Sequence, residues 1–529
     1  MLSAQNRDLE TTAADARYRR RWLTFLVTFF AVLAPMVLWA FAVPLASAPD
    51  EASHLIRAAA VARGQIVSER LDSSPTLTRA EIPENIANAL GLTCFAFKSD
   101  IDASCQAETR NTSDDLVITG GTAGLNSPVY YAAVGLPSLF LGGDAAYYGM
   151  RIMSAVLSAF AFAVLVMQLS LMRRSRWAFV GAIVGITPMA LYLGGVVNPN
   201  GVEVASAGAL LVTMLAMSRG TFTGRRLLEQ AALALVSAVL LMSTRSISLL
   251  WLLLIALLAI FLGNRDRVLS LLRSPAGWLL LGGTGLAAIA TVVWYLNPPA
   301  LAGGSSSNVS LVGYAFAALA TLVHSFDYIA GMIGLFGWVD TPAPSMTNAV
   351  WMAAILGLIV VALVWGRRRT GATVWAMIAV CLFVPVVTQL SLYAQYGYVW
   401  QGRYMLAMLL CLLILAGVAL DDAGIGITVG RTRLVTSLFV LLAIGHVFAF
   451  VTALWRYVAG LDADIGQFVF DGAWQPPLGW KALAALFVVT VGIGFWLARR
   501  SFILACDVDA ARSTCTSHSE RTVSERLVY

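Results

Sequence analysis

Apolar runs about 20 residues long alternate with short polar breaks from Trp22 to Ala498. As a helix, a run of that length crosses a hydrocarbon core of ~30 Å. The runs are Trp22–Val43, Tyr147–Met172, Trp177–Val197, Val202–Met217, Leu227–Met242, Ile247–Leu262, Trp278–Leu296, Ala349–Trp365, Val374–Ser391, Tyr404–Leu420, Leu434–Trp455 and Trp480–Ala498. They predict an all-α polytopic membrane protein with about 12 transmembrane helices.

The polar segments divide the chain. Residues 1–21 and 501–529 read as unstructured cytoplasmic tails flanking one transmembrane domain, 22–500. Within it, 45–145 forms a large first extracytoplasmic loop. Leu45-Ala46-Ser47-Ala48 has the small-residue pattern of a signal-peptidase site. The run before it exceeds the usual signal core of roughly 7–15 residues, so we read a retained anchor. Either reading puts Asp50 outside.

With the N-terminus inside, the expected inner loops hold Arg173, Arg174 and Arg176; Arg219, Arg225 and Arg226; Arg265, Arg267 and Arg273; Arg367, Arg368 and Arg369; Arg431 and Arg433; and Arg499 and Arg500. Short outer connections hold few, which is the positive-inside asymmetry. Both termini are therefore expected in the cytoplasm of a multi-pass cell-membrane protein. The segment Asn297–Thr347 turns apolar from Leu311 to Val339 and reads as re-entrant or interfacial, since one more span would invert that pattern.

Composition agrees. The 529 residues are 59% hydrophobic and 12% charged, against roughly 25% charged in a soluble domain, so lipid must cover most of the surface. The net charge of +6 sits in short arginine clusters between runs and does not signal nucleic acid. Cys94 and Cys105 share the large loop and are expected to form a disulfide if it lies outside; two free thiols are the alternative.

Candidate chemistry concentrates at the outer ends of the runs. Ser47 and Pro49 suit a helix start, which would place Asp50, His54 and Arg57 on one face with Glu51 beside them. A carboxylate there can act as a general base, or join His54 on a metal. Acidic residues also collect at helix N-termini through the dipole alone, and spacing does not separate these readings. Asn198-Pro199-Asn200-Gly201 with Glu203, Arg245 at the tip of a tight hairpin, and Gln401-Gly402-Arg403-Tyr404 are further polar groups near membrane depth. Arg245 and Arg403 suit a phosphate or diphosphate, or else snorkel to headgroups. Gly402 would leave the backbone beside Arg403 open to a ligand. The aromatics around Trp400 read first as an interfacial belt. No Walker-type loop or Cys/His zinc spacing occurs.

Pro49-Asp50-Glu51-x-x-His54-x-x-Arg57-Ala58, Asn126-Ser127-Pro128-Val129-Tyr130-Tyr131, Met150-Arg151-Ile152, Val197-Asn198-Pro199-Asn200-Gly201 and Gln401-Gly402-Arg403-Tyr404 together resemble the predicted membrane proteins known as domain of unknown function 2142, from about residue 22 to 500. Asn200 stands where that family's motif carries Asp, so no catalytic carboxylate can be placed there. The family is similar in plan to the GT-C glycosyltransferases, which move a sugar from a polyprenyl-phosphate carrier to an acceptor outside the cytoplasm. The resemblance implies a polyprenyl-phosphate-linked donor and a cell-envelope glycan or lipid acceptor as partners, with Asp50 or Glu51 as base. It also implies Arg403 and Arg245 on the phosphate, and His54 positioning the carboxylate or sharing a divalent cation with it. Arg57, Asn198, Asn200, Gln401 and Tyr404 would support them. A transporter or flippase of a lipid-linked or anionic precursor, and a non-catalytic envelope-assembly protein, are the competing readings.

Alkaline phosphatase, active only outside the cytoplasm, tests the orientation. Fusion after Asp115 should be active and fusion after Gly426 inactive; the reverse pattern would invert the topology.

Overall fold

The computed structural model describes residues 2–107, 113–297, 309–426 and 428–525. Pro298, Pro299 and the Gly303–Ser307 run lie outside those residues, as do the side chains of Cys506 and Cys515.

Helix α1 (Leu2–Ala42) contains the first span. Its polar start, expected to be unstructured, is helical, because extending an existing helix costs far less than nucleating one. Helix α2 (Glu51–Ala62) follows after a sharp corner. Strands β1 (Arg70–Leu71) and β2 (Ser74–Pro83), a short α3 (Glu84–Ala87) and β3 (Leu116–Gly121) come next, with antiparallel order β1-β2-β3 and Thr78 opposite Gly121. Cys94 and Cys105 are disulfide-bonded, Cα to Cα 6.1 Å, as expected. Helix α4 (Pro128–Val134) closes the loop before α5 (Gly143–Leu171).

The run expected over Trp177–Val197 is two helices, α6 (Arg176–Gly185) and α7 (Pro188–Gly195), bent by 62°. Pro188 ends the first because a proline disfavours helix at the residue before it. Thr187 caps the second through the Ala190 N–H. Helix α8 (Pro199–Arg219) opens with Asn198 accepting from the Asn200 N–H. The hairpin is α9 (Gly224–Met242) and α10 (Ser248–Leu262). Fifteen residues in α10 span only about 22 Å, less than a hydrocarbon core of ~30 Å. Then follow α11 (Arg265–Leu272), α12 (Pro275–Leu296), α13 (Leu311–Val323) and α14 (Ser325–Gly334). The last two are bent by 51°, which is not one straight span. Strands β4 (Leu335–Phe336) and β5 (Thr341–Pro342) pair after them. The remaining helices are α15 (Ser345–Trp365), α16 (Arg368–Tyr396), α17 (Leu406–Asp422), α18 (Val429–Val458), α19 (Ile465–Phe470) and α20 (Trp480–Glu525). The last continues helically to Glu525, into the tail expected to be unstructured.

All twelve expected runs are therefore helical. Among the described residues, nine helices are long and apolar enough to cross a membrane, or up to eleven if each bent pair is one span. The hairpin helices α9 and α10 fall outside that set. Helices α8 and α17 are buried nearly all round and form the centre, while α12 and α20 present most of their length outward. Two buried arginines tie the loop to this bundle. Arg151 of α5 holds the end of α1 and the start of α2. Arg456 of α18 donates to the carbonyls of Phe95 (2.9 Å), Lys98 (2.8 Å) and Ile101, and to Asp340 at 3.3 Å, so the disulfide segment rests on the helix end.

Candidate functional site

The acidic pair after the first span splits into two environments. Glu51 is fully buried, and both its oxygens are taken. Arg151 donates Nε to Oε1 at 2.8 Å and Nη2 to Oε2 at 2.7 Å. The Val197 N–H donates to Oε1 at 3.0 Å and the Ala48 N–H to Oε2 at 3.3 Å. The other protons of Arg151 go to the carbonyls of Ala40, Val43 and Pro44. A guanidinium has five N–H donors, and all are used. A carboxylate so enclosed has no room for a substrate hydroxyl, which argues against Glu51 as the base.

Asp50 is the opposite case. It precedes α2 rather than lying in it, at φ 62°, and its side chain does not cap the helix. The expected start near Ser47 is thus displaced to Glu51, with Ser47 to Pro49 in the corner between α1 and α2. The left-handed backbone, tolerated best by Gly, Asn and Asp, turns the Asp50 carboxylate outward, 53% exposed. There Arg403 Nη2 donates to Oδ2 at 3.0 Å and to the Tyr404 hydroxyl at 3.3 Å.

Arg403 is 4% exposed, and its Nε and Nη1 have no hydrogen-bond partner. Arg245, from the hairpin tip, lies 4.0 Å over the Tyr404 ring and donates to Asn200 Oδ1 at 3.3 Å. Asn200 Nδ2 and Gln401 Oε1 are also buried without partners. Asn198 holds Pro49, donating to its carbonyl at 3.1 Å. Glu203, a turn into α8, accepts from Ser248 at 2.7 Å and Trp251 at 3.1 Å, which fixes the hairpin carrying Arg245. The structure thus gathers Asp50, Arg403, Arg245, Asn200 and Tyr404 from four distant segments.

His54 lines the same space, its Nδ1 2.8 Å from the Tyr131 hydroxyl, which also accepts from Asn126 at 3.0 Å. Burial pushes its imidazole down from 6.5 to about 4; Arg245 and Arg403 act the same way, and Asp50 opposes them. It is neutral near pH 7. Two sequence readings do not hold. Arg57 does not join Asp50: its guanidinium binds Ser68 and the carbonyls of Gln65, Ile66 and Asn126, fastening α2 to the loop. Gly402 is not open to a ligand, since a Cβ there would meet the Tyr328 carbonyl oxygen at 2.1 Å. Its smallness lets α14 press onto the turn carrying Arg403. Of the aromatics, Tyr396 and Tyr398 are exposed, while Trp400 packs edge-on against Tyr404.

A divalent cation fits poorly. Among the described residues no three His, Cys, Asp or Glu side chains converge, and Asp50 and His54 would offer two ligands facing two guanidiniums. The donor set suits an anion. Asn126 and Tyr131 stood in the sequence only as part of a family motif with no role assigned, and Ser248 and Trp251 escaped the sequence reading because they sit in an ordinary apolar helix. A cavity of about 710 Å³ lies at the opposite end of the bundle and shares no residue with this site.

The sequence profile of the family described as Predicted membrane protein (DUF2142) matches residues 33–413. No curated protein matches the chain.

Two outcomes follow from the geometry. Replacing Glu51 by Ala strands a buried guanidinium and should cost about 3–5 kcal/mol, seen as loss of folded protein in detergent, whereas Asp50→Asn should leave the yield unchanged. Equal yields would refute this division. Because the folded state resists protonating His54, stability should be intact above pH 6.5 and decline as pH falls toward about 4. His54→Gln should flatten that limb of Tm against pH; a curve parallel to wild type would clear His54 of it.

Proposed function

The chain belongs to this family of predicted membrane proteins, and from that premise we propose that it is a GT-C-like glycosyltransferase. It moves a sugar from a polyprenyl-phosphate carrier to a cell-envelope acceptor, at the membrane face bearing the 45–145 loop. The observation carrying this reading is the buried Arg403 guanidinium, with two unpartnered nitrogens beside an exposed carboxylate.

A phosphate offers several acceptor oxygens and meets the fork of an arginine bidentately. Arg403 Nε and Nη1, Arg245 and Asn200 Nδ2 together supply such a cradle. Transfer then needs little more. The acceptor hydroxyl oxygen bonds to the anomeric carbon, and the bond from that carbon to the phosphate oxygen breaks. The electron pair leaves with the phosphate and the hydroxyl proton passes to Asp50. Arg403 shifts from Asp50 toward the charge growing on the phosphate, which stabilises the transition state more than the ground state and frees the base. Neutral His54 orders Tyr131 and the wall behind Asp50. Glu203 acts through Arg245, holding the hairpin that carries it. The Cys94–Cys105 disulfide supports an extracytoplasmic loop, since such bonds persist in oxidising compartments.

Asp50→Asn should lower transfer from a polyprenyl-phosphate sugar by roughly 10²–10⁴-fold with normal membrane insertion, and Arg403→Gln should also weaken donor binding. Wild-type transfer by Asp50→Asn would remove the proposed base. Movement of the lipid-linked donor across sealed vesicles with its glycosidic phosphate bond intact would instead make the protein a flippase.

A further inference from the structure

The cavity at the end opposite the loop has a consistent chemistry. It lies between α1, α5, α6, α18 and α20. Its walls are apolar, among them Val27, Ala31, Phe179, Ile183, Val491 and Phe495. They follow α1 from Leu23 to Pro35, about 18 Å of helix. That is close to one leaflet of a ~30 Å hydrocarbon core. Arg173, Arg174 and Arg176 line it where the chain passes from α5 to α6, and among the described residues no Asp or Glu does. Asp421, behind the wall, faces Arg176. Arg173 and Arg174 are exposed at the mouth.

We propose that this groove holds one anionic glycerophospholipid from the leaflet facing away from the 45–145 loop. Its acyl chain lies along α1 and its phosphate sits among Arg173, Arg174 and Arg176. A convex lipid-facing helix meets only passing chains, whereas about 710 Å³ of recess is within the usual range for a resident ligand. Basic groups at the headgroup level select negative lipids. The bound lipid bridges α1 and α20 to the α5–α6 connection, where the helices do not fill the space themselves. The inference is independent of the loop-face reaction.

The test uses the full-length protein in nanodiscs of equal phosphatidylglycerol and phosphatidylcholine, stripped with detergent and examined by native mass spectrometry. Phosphatidylglycerol should be retained over phosphatidylcholine by about tenfold. The double variant Arg173→Gln, Arg174→Gln should abolish that preference, and Ala31→Trp should lower retention of both lipids by filling the groove. The double variant Arg265→Gln, Arg267→Gln, elsewhere on the same face, should behave as wild type. Equal retention of the two lipids by the wild type, an unchanged preference in the first double variant, or release of the lipid by millimolar inorganic phosphate would each overturn the proposal.

Discussion

The buried Glu51–Arg151 pair is the constraint around which the loop face is assembled. Two charges withdrawn from water are tolerated only when every proton and lone pair near them is matched. Here the five donors of Arg151 reach Glu51 and the last carbonyls of the first span, and the Val197 amide completes the carboxylate. Three stretches far apart in sequence are thereby held at one point: the corner from the end of α1 to the start of α2, the first turns of α5 and the approach to α8. The chain cannot satisfy this pair without a corner at Ser47–Asp50, and the corner sets the left-handed backbone of Asp50 and its outward aim.

That arrangement gives two adjacent carboxylates opposite duties. One is saturated and holds the scaffold; the other keeps most of its surface and meets a single guanidinium nitrogen. The cations around it are arranged unevenly. Arg245 is braced by the Tyr404 ring, Asn200 and the Glu203-anchored hairpin, while Arg403 leaves Nε and Nη1 unsatisfied. Buried donors without acceptors are costly, and the two unmatched nitrogens of Arg403 beside Asp50 are the surplus on which the proposed anion site rests. Packing accounts for the rest. Gly402 admits α14 to the turn, and Arg456 pins the disulfide segment so that the loop roof has a fixed footing on α18.

The two membrane faces differ in kind. Around Asp50 the polar atoms are many and mutually oriented, as chemistry on a charged group requires. At the other end an apolar recess bounded by arginines has the shape of an amphiphile. The proposed reaction site and the proposed lipid groove are thus separated by the depth of the bundle.

Hydropathy period and length alone determined that the chain is helical and membrane-spanning and where its large loop falls, because each depends on local composition and the solvent it implies; the pairing of Cys94 with Cys105 is an expectation that leaves two free thiols open, and the fold joins them. The sequence also marked Asp50, Glu51, Arg245 and Arg403 as polar groups in a costly place. It could not tell Asp50 from Glu51, since neighbours on the chain look alike until a distant arginine chooses one. Nor could it foresee that Arg57 turns to the loop carbonyls, that Gly402 serves packing, or that Trp177–Val197 breaks at Pro188. Which partner a side chain meets across α1, α5, α8 and α17 is settled by the requirement that every buried charge be neutralised and bonded. Only the assembled bundle can satisfy that requirement.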